Sequence, residues 1–191
     1  MIAEKYPELE RENARLKDLL RLKAEVPEYL TTARVIGGGA RRWPRIIVID
    51  KGKRDGIRKD MAVRNTDGLV GKITEVYESS SEVLLITDPS FSASIRLQDS
   101  RTEGVLSGSG NGYCRLKYIP AETSLKRGDR LITSGLDGIF PPGIPAGVIT
   151  EIAGKDELFM DITVRPAVKE NSLEEVMILK ASGSSRKERT K

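Results

Sequence analysis

One six-residue phrase occurs twice in this chain, and it restricts the fold more than any other feature. Gly71-Lys72-Ile73-Thr74-Glu75-Val76 returns 76 residues later as Gly147-Val148-Ile149-Thr150-Glu151-Ile152. In each copy a glycine precedes alternating β-branched and polar residues, the period-two pattern of a half-buried strand. Another glycine stands just upstream of each, in Gly68-Leu69-Val70 and in Gly143-Ile144-Pro145-Ala146. The pattern predicts two similar β units in tandem, built from short strands with glycine at the corners. Gly68, Gly71, Gly143 and Gly147 are accordingly read as structural residues, where a side chain would collide or φ would be unfavourable, and not as ligand contacts.

The residues between and around the two copies extend this reading. A dozen short strand patterns run from Arg34–Ile36 to Val176–Leu179, separated by Asp55-Gly56, Asp67-Gly68, Asn111-Gly112, Asp137-Gly138 and Pro142-Gly143. Those dipeptides are turn chemistry, and short strands at such spacing build barrels or sandwiches, not a parallel α/β sheet. In Met160–Val164 the residues Met160, Ile162 and Val164 face one way, with Asp161 and Thr163 opposite. The polar, basic stretch Ser182–Lys191 has no apolar anchor and is expected to be a disordered tail.

The N-terminus has a different period. Residues 7–25 read as a helix, opened by Pro7, with Glu8, Glu10 and Glu12 at the positive end of its dipole, and closed by Pro27. Ile2, Leu9 and Leu16 recur every seven residues, and Tyr6, Asn13 and Leu20 fall four residues after each. That is a narrow coiled-coil stripe flanked by charge, with Asn13 at a core position that fixes register and favours two parallel strands. Leu9, Asn13, Leu16 and Leu20 are the expected dimer contacts. One helix packed on its own domain is the alternative. So short a stripe pairs weakly alone, so the helix is expected to continue upstream.

Composition removes several classes of function. There is no histidine, hence no Ser-His or Cys-His nucleophile and none of the commonest metal ligand, and the one cysteine, Cys114, forms no disulfide within the chain. No cofactor and no metal are expected. Net charge is +4, but it is unevenly spread. Residues 34–59 hold nine basic and two acidic side chains, whereas residues 60–181 hold 13 basic and 18 acidic. Trp43 is the only aromatic in the basic segment, which argues against nucleic acid as a partner.

Other segments imitate chemistry without completing it. Gly37-Gly38-Gly39 before Arg41 and Arg42 lacks the Gly-Lys-Ser/Thr ending of a phosphate loop and opens no helix, so it reads as a mobile loop. Gly108-Ser109-Gly110 has no Gly-x-Ser-x-Gly frame. Asp129, Asp137, Glu151, Asp156 and Glu157 are read as solvated turn acids. The loop Ile139-Phe140-Pro141-Pro142-Gly143 is pre-ordered by its prolines, so Ile139, Phe140, Pro141 and Pro142 form a candidate partner surface. Phe140 as a plug in its own barrel is the competing reading.

An ordered set of short motifs then points to a family. Gly68-Leu69-Val70-Gly71, Val83-Leu84-Leu85-Ile86-Thr87-Asp88, Gly104-Val105-Leu106-Ser107-Gly108, Lys126-Arg127-Gly128-Asp129, Thr133-Ser134-Gly135-Leu136-Asp137-Gly138 and Phe140-Pro141-Pro142-Gly143 follow one another in that order. With the helical lead-in Glu12-Asn13-Ala14-Arg15-Leu16, the set resembles the bacterial rod shape-determining protein family MreC over about residues 8–180.

The resemblance implies a mainly β fold: a coiled-coil helix followed by two small six-stranded barrels, similar to the halves of chymotrypsin-like proteases without their triad. On that basis residues 1–30 are the dimerisation helix and linker. Residues 31–104 are the first barrel region, 105–181 the second, with exchange of strands between the two allowed, and 182–191 the tail. It also implies a non-enzymatic dimeric scaffold, or a higher assembly, of the cell-elongation complex. The implied placement is a single-pass inner-membrane protein with this portion on the periplasmic side, although the chain departs from the family in carrying no membrane span. The implied partners are a class B penicillin-binding transpeptidase, MreD and, through a cytoplasmic end, MreB. Arg41, Arg42, Arg45 and Lys51 would then lie near anionic head groups, or meet the acidic body of a neighbouring molecule. A serine hydrolase of chymotrypsin-like shape and a cell-wall polysaccharide-binding module are the alternatives from other classes.

Overall fold

The computed structural model describes residues 12–16, 18, 20–21, 26–39, 45–155 and 159–180. The described residues from 12 to 21 are helical, and the rest of the fold is β apart from two single turns of 3-10 helix, Lys53–Asp55 and Glu170–Ser172. The strands are β1 (Tyr29–Gly39), β2 (Ile46–Ile49), β3 (Ala62–Arg64), β4 (Leu69–Val76), β5 (Ser81–Leu85) and β6 (Ser92–Leu97). They continue with β7 (Glu103–Gly108), β8 (Cys114–Lys117), β9 (Arg130–Thr133), β10 (Pro145–Lys155), β11 (Met160–Pro166) and β12 (Glu175–Leu179). Each sequence-read strand has its counterpart.

These strands close into two six-stranded antiparallel barrels, in the orders β1-β12-β3-β4-β5-β2 and β10-β11-β8-β7-β6-β9. The last strand, β12, returns to the first barrel and pairs with β1 and β3. The second barrel begins at β6, so the boundary expected at residues 104 and 105 lies too late. β6 and β7 form one hairpin pairing Ser92 through Arg96 with Ser107 through Glu103, and a cut at 104 would split it.

The returning strand exposes the symmetry hinted at by the repeat. Taken from β12, the first barrel runs β12-β1-β2-β5-β4-β3; taken from β6, the second runs β6-β7-β8-β11-β10-β9. The two orders are identical, and the repeated phrases fall on equivalent strands, β4 and β10. Their ladders slip at equivalent places, between Ile73 and Glu75 and between Ile149 and Glu151. At each slip a threonine hydroxyl donates across the ladder, Thr74 to the Glu82 carbonyl (3.4 Å) and Thr150 to the Thr163 carbonyl (3.2 Å). An extra residue in one strand sharpens the bend, as closing so small a barrel requires.

Burial explains the apolar runs. Val63, Val70, Leu85 and Ile178 point into the first barrel. Their neighbours Ala62, Leu69, Leu84 and Leu179 point out of it, yet they too are buried, because they join the core of the second barrel. Strands covered on both faces lose the polar alternation of a one-sided sheet. The barrels thus share an apolar interface.

One loop expectation is corrected. Gly37-Gly38-Gly39 is not a mobile loop but the end of β1, paired with Val48, Ile47 and Ile46. Gly38 has φ +88, and a Cβ there would run into the Ile46 carbonyl, so glycine lets β1 and β2 approach after a slip between Val35 and Gly37.

Candidate functional site

Two segments cross between the barrels, β5 to β6 and β11 to β12, and one residue, Arg45, ties both, the first through its backbone and the second through its side chain. The backbone N–H of Arg45 donates to Asp88 Oδ2 (2.8 Å). Its guanidinium donates to the Gly110 carbonyl through Nε (3.1 Å) and pairs with Glu170 (3.3 Å). Glu170 in turn accepts the hydroxyl of Thr87, and Asp88 accepts the N–H (2.8 Å) and the hydroxyl of Ser90. Thr87 and Asp88 are fully buried, and the Arg45 and Glu170 side chains are 15% and 9% exposed. Burial alone would raise the pKa of Asp88. The Ser90 hydroxyl, the N–H groups of Arg45 and Ser90 and the Arg45 charge together outweigh it and hold the carboxyl below its ordinary value.

Arg45 is therefore corrected: its guanidinium is committed inside the molecule, not offered to a membrane or a neighbour. Lys51 also has an internal partner, Asp55 at 3.3 Å. Arg41 and Arg42 lie outside the described residues.

The partner-surface loop is corrected as well. Phe140 is completely buried, its ring 5.6 Å from that of Phe91, and Pro141 is buried beside it. Ile139 packs partly on the same core, which leaves Pro142 as the exposed member of the four. The buried Thr133 hydroxyl donates to the Pro141 carbonyl and accepts the Ile144 N–H (2.9 Å), so the loop folds back on its own barrel.

The helix contributes an exposed apolar edge. Leu16 is 42% and Leu20 65% exposed, and Asn13 is also exposed. Leu9 lies outside the described residues. Arg15 anchors the helix on the first barrel, reaching Glu174 (2.9 Å) and Glu175 (3.4 Å) as well as Glu12 within the helix (2.6 Å). Leu16 and Leu20 border a groove of about 630 Å³ shared with Tyr29, Thr32 and Ala33 of β1.

Of the four glycines, Gly68, Gly71 and Gly147 stand where a Cβ would overlap a backbone carbonyl: Pro145, Leu84 and Arg165 respectively. The Gly68 contact crosses from one barrel to the other. Gly143 has open space around it but a φ of +91.

Sequence reasoning missed Thr87, Glu170 and Arg15 as individual contacts. Thr87-Asp88 stood inside a quoted motif, but no local pattern ties it to Arg45, 43 residues from Asp88. Among the described residues no group of three or more His, Cys, Asp and Glu side chains is placed to hold a metal. Cys114 is sealed in the second barrel, where burial and then the Glu170 charge push its thiol up to about 12.

The family model described as rod shape-determining protein MreC, barrel core, matches residues 35–180. The chain belongs to the MreC family. It is 32% identical over 185 residues to the cell shape-determining protein MreC of Listeria monocytogenes, covering 93% of this chain and 63% of that one. It thus spans under two thirds of that relative's length. The crystal structure of MreC from Pseudomonas aeruginosa superposes with a TM-score of 0.75 at 28% identity, covering 78% of this chain and 98% of the other. MreC in a complex with a penicillin-binding protein, both from Helicobacter pylori, shares the fold at a TM-score of 0.55 and 16% identity, covering 81% of this chain and 90% of that one.

Proposed function

We propose that the chain is the extracytoplasmic part of a non-enzymatic scaffold of the bacterial cell-elongation complex, held at the inner membrane by a single span outside these residues. In this reading it dimerises through the helix, with Leu9, Leu16 and Leu20 in the seam and Asn13 setting the register. The barrels bind a class B penicillin-binding transpeptidase, and MreD and MreB complete the link to the membrane and the cytoskeleton.

The match of residues 35–180 to the MreC barrel core carries the proposal. The complex that a Helicobacter pylori MreC forms with a penicillin-binding protein supports the choice of partner. Closed barrels have no free strand edge to extend, so partners must be engaged through side-chain surfaces. The exposure of Leu16 and Leu20 is consistent with a seam awaiting a second copy.

Two readouts test the proposal. In a rod-shaped cell depleted of its own MreC, the membrane-anchored full-length protein should restore rods. The purified chain should leave a fluorophosphonate serine probe unreacted. Round cells despite normal levels of folded protein would overturn the scaffold role, and fold-dependent labelling would overturn its non-enzymatic character.

A further inference from the structure

An open cleft of about 850 Å³ lies against the Arg45–Glu170 pair, between the outer face of the second barrel and the segment joining β11 to β12. Its size suits a ligand of several residues. Its charge runs against the composition of this part of the chain, where residues 60–181 carry five more acidic than basic groups. The cleft wall nevertheless holds Arg45, Arg165 and Lys169 against a single acid, Glu170, whose carboxylate is already taken by Arg45 and Thr87. Arg165 and Lys169 are exposed, and among the described residues neither has a carboxylate within 4 Å.

Two further features define the ligand class. Tyr113, 42% exposed, and Val148 give the cleft an apolar wall. Asn171, exposed on the rim, has a side-chain amide with no partner among the described residues and can pair with a peptide group. Two spaced cations beside an aromatic ring match an extended chain bearing separate carboxylates. A peptide is favoured over a lipid surface because the Asn171 amide and the Tyr113 ring offer it partners that a layer of head groups does not use.

We propose that this cleft binds an extended acidic peptide segment of a partner protein, with Arg165 and Lys169 taking its carboxylates and Tyr113 packing against its stem. The inference goes beyond the scaffold role and does not require the transpeptidase to be the source of the segment.

Fluorescence anisotropy on the full chain tests it, with a labelled dodecapeptide of alternating Glu and Ala and its Gln-for-Glu counterpart. The Glu peptide should bind saturably and more weakly as salt rises, and the Gln peptide should not. Arg165→Glu combined with Lys169→Glu, both exposed and so expected to melt like the parent, should weaken binding by at least about tenfold, as loss of two charge contacts implies. Tyr113→Ala should weaken it without changing the salt dependence. No binding of the Glu peptide, equal binding of the Gln peptide, or binding indifferent to the double reversal would each overturn the proposal. So would tighter capture of phosphatidylglycerol vesicles that the double reversal abolishes, which would assign the cleft to a lipid surface. None of these failures touches transpeptidase binding, which is measured separately.

Discussion

Arg45 joins three separate stretches of chain, and its removal should be felt well beyond its own strand. Arg45→Ala strands Glu170 in a half-dry site, and breaking such a pair from one side costs about 3 kcal/mol. The exposed pair Arg54–Glu78, with side chains 75% and 64% exposed, is the control: Arg54→Ala should cost under about 1 kcal/mol. Urea unfolding compares the two, and similar midpoint shifts would contradict the account. Asp88 adds a pH dependence at the same place. Its folded pKa is depressed, so its contribution is complete above the unfolded carboxylate value of about 4 and is lost as pH falls through the lower folded value. Unfolding midpoints between pH 7 and 3 should fall more steeply for the parent than for Asp88→Asn, and parallel curves would remove Asp88 from the junction.

At the scale of elements, the two copies of the repeat should behave alike. Gly71→Val and Gly147→Val each force a side chain into a neighbouring strand's carbonyl, Leu84 or Arg165. Overpacking of this kind costs about 1–3 kcal/mol or more, so each variant should melt lower, and retention of the parent melting temperature by either would be contrary evidence. The strands were legible because their turns and their period of two are local signals. Closure was not: β12 pairs with β1 across most of the chain, so the barrel boundary could not be read from neighbouring residues. Arg45 sits in a basic stretch that suggests surface, and only tertiary packing turns it inward. Phe140 misleads in the same way, since an apolar residue beside two prolines looks identical in sequence whether it docks outward or plugs a barrel. The helix is a third element, and its proposed role is the seam. Leu16→Asp should leave the barrels' melting transition intact and lower the solution mass to that of one chain by sedimentation equilibrium. A mass unchanged from the parent's would remove the helix as the dimer contact.

The whole molecule is two copies of one barrel plan joined face to face. Ala62, Leu69, Leu84 and Leu179 of the first barrel are buried in the core of the second, and Gly68 touches Pro145 across the boundary. Such an apolar junction, locked by Arg45 and Glu170, predicts that the barrels move as a unit and present fixed surfaces, as the proposed scaffold role requires. The most direct measurement of that role is the binding of the purified chain to the extracytoplasmic part of the elongation-specific class B transpeptidase from the same bacterium. Calorimetric titration should give saturable binding for the parent chain, with affinity reduced for Arg45→Ala because the paired surfaces are no longer held in register. No heat of binding and no co-migrating complex, with both proteins demonstrably folded, would contradict the account.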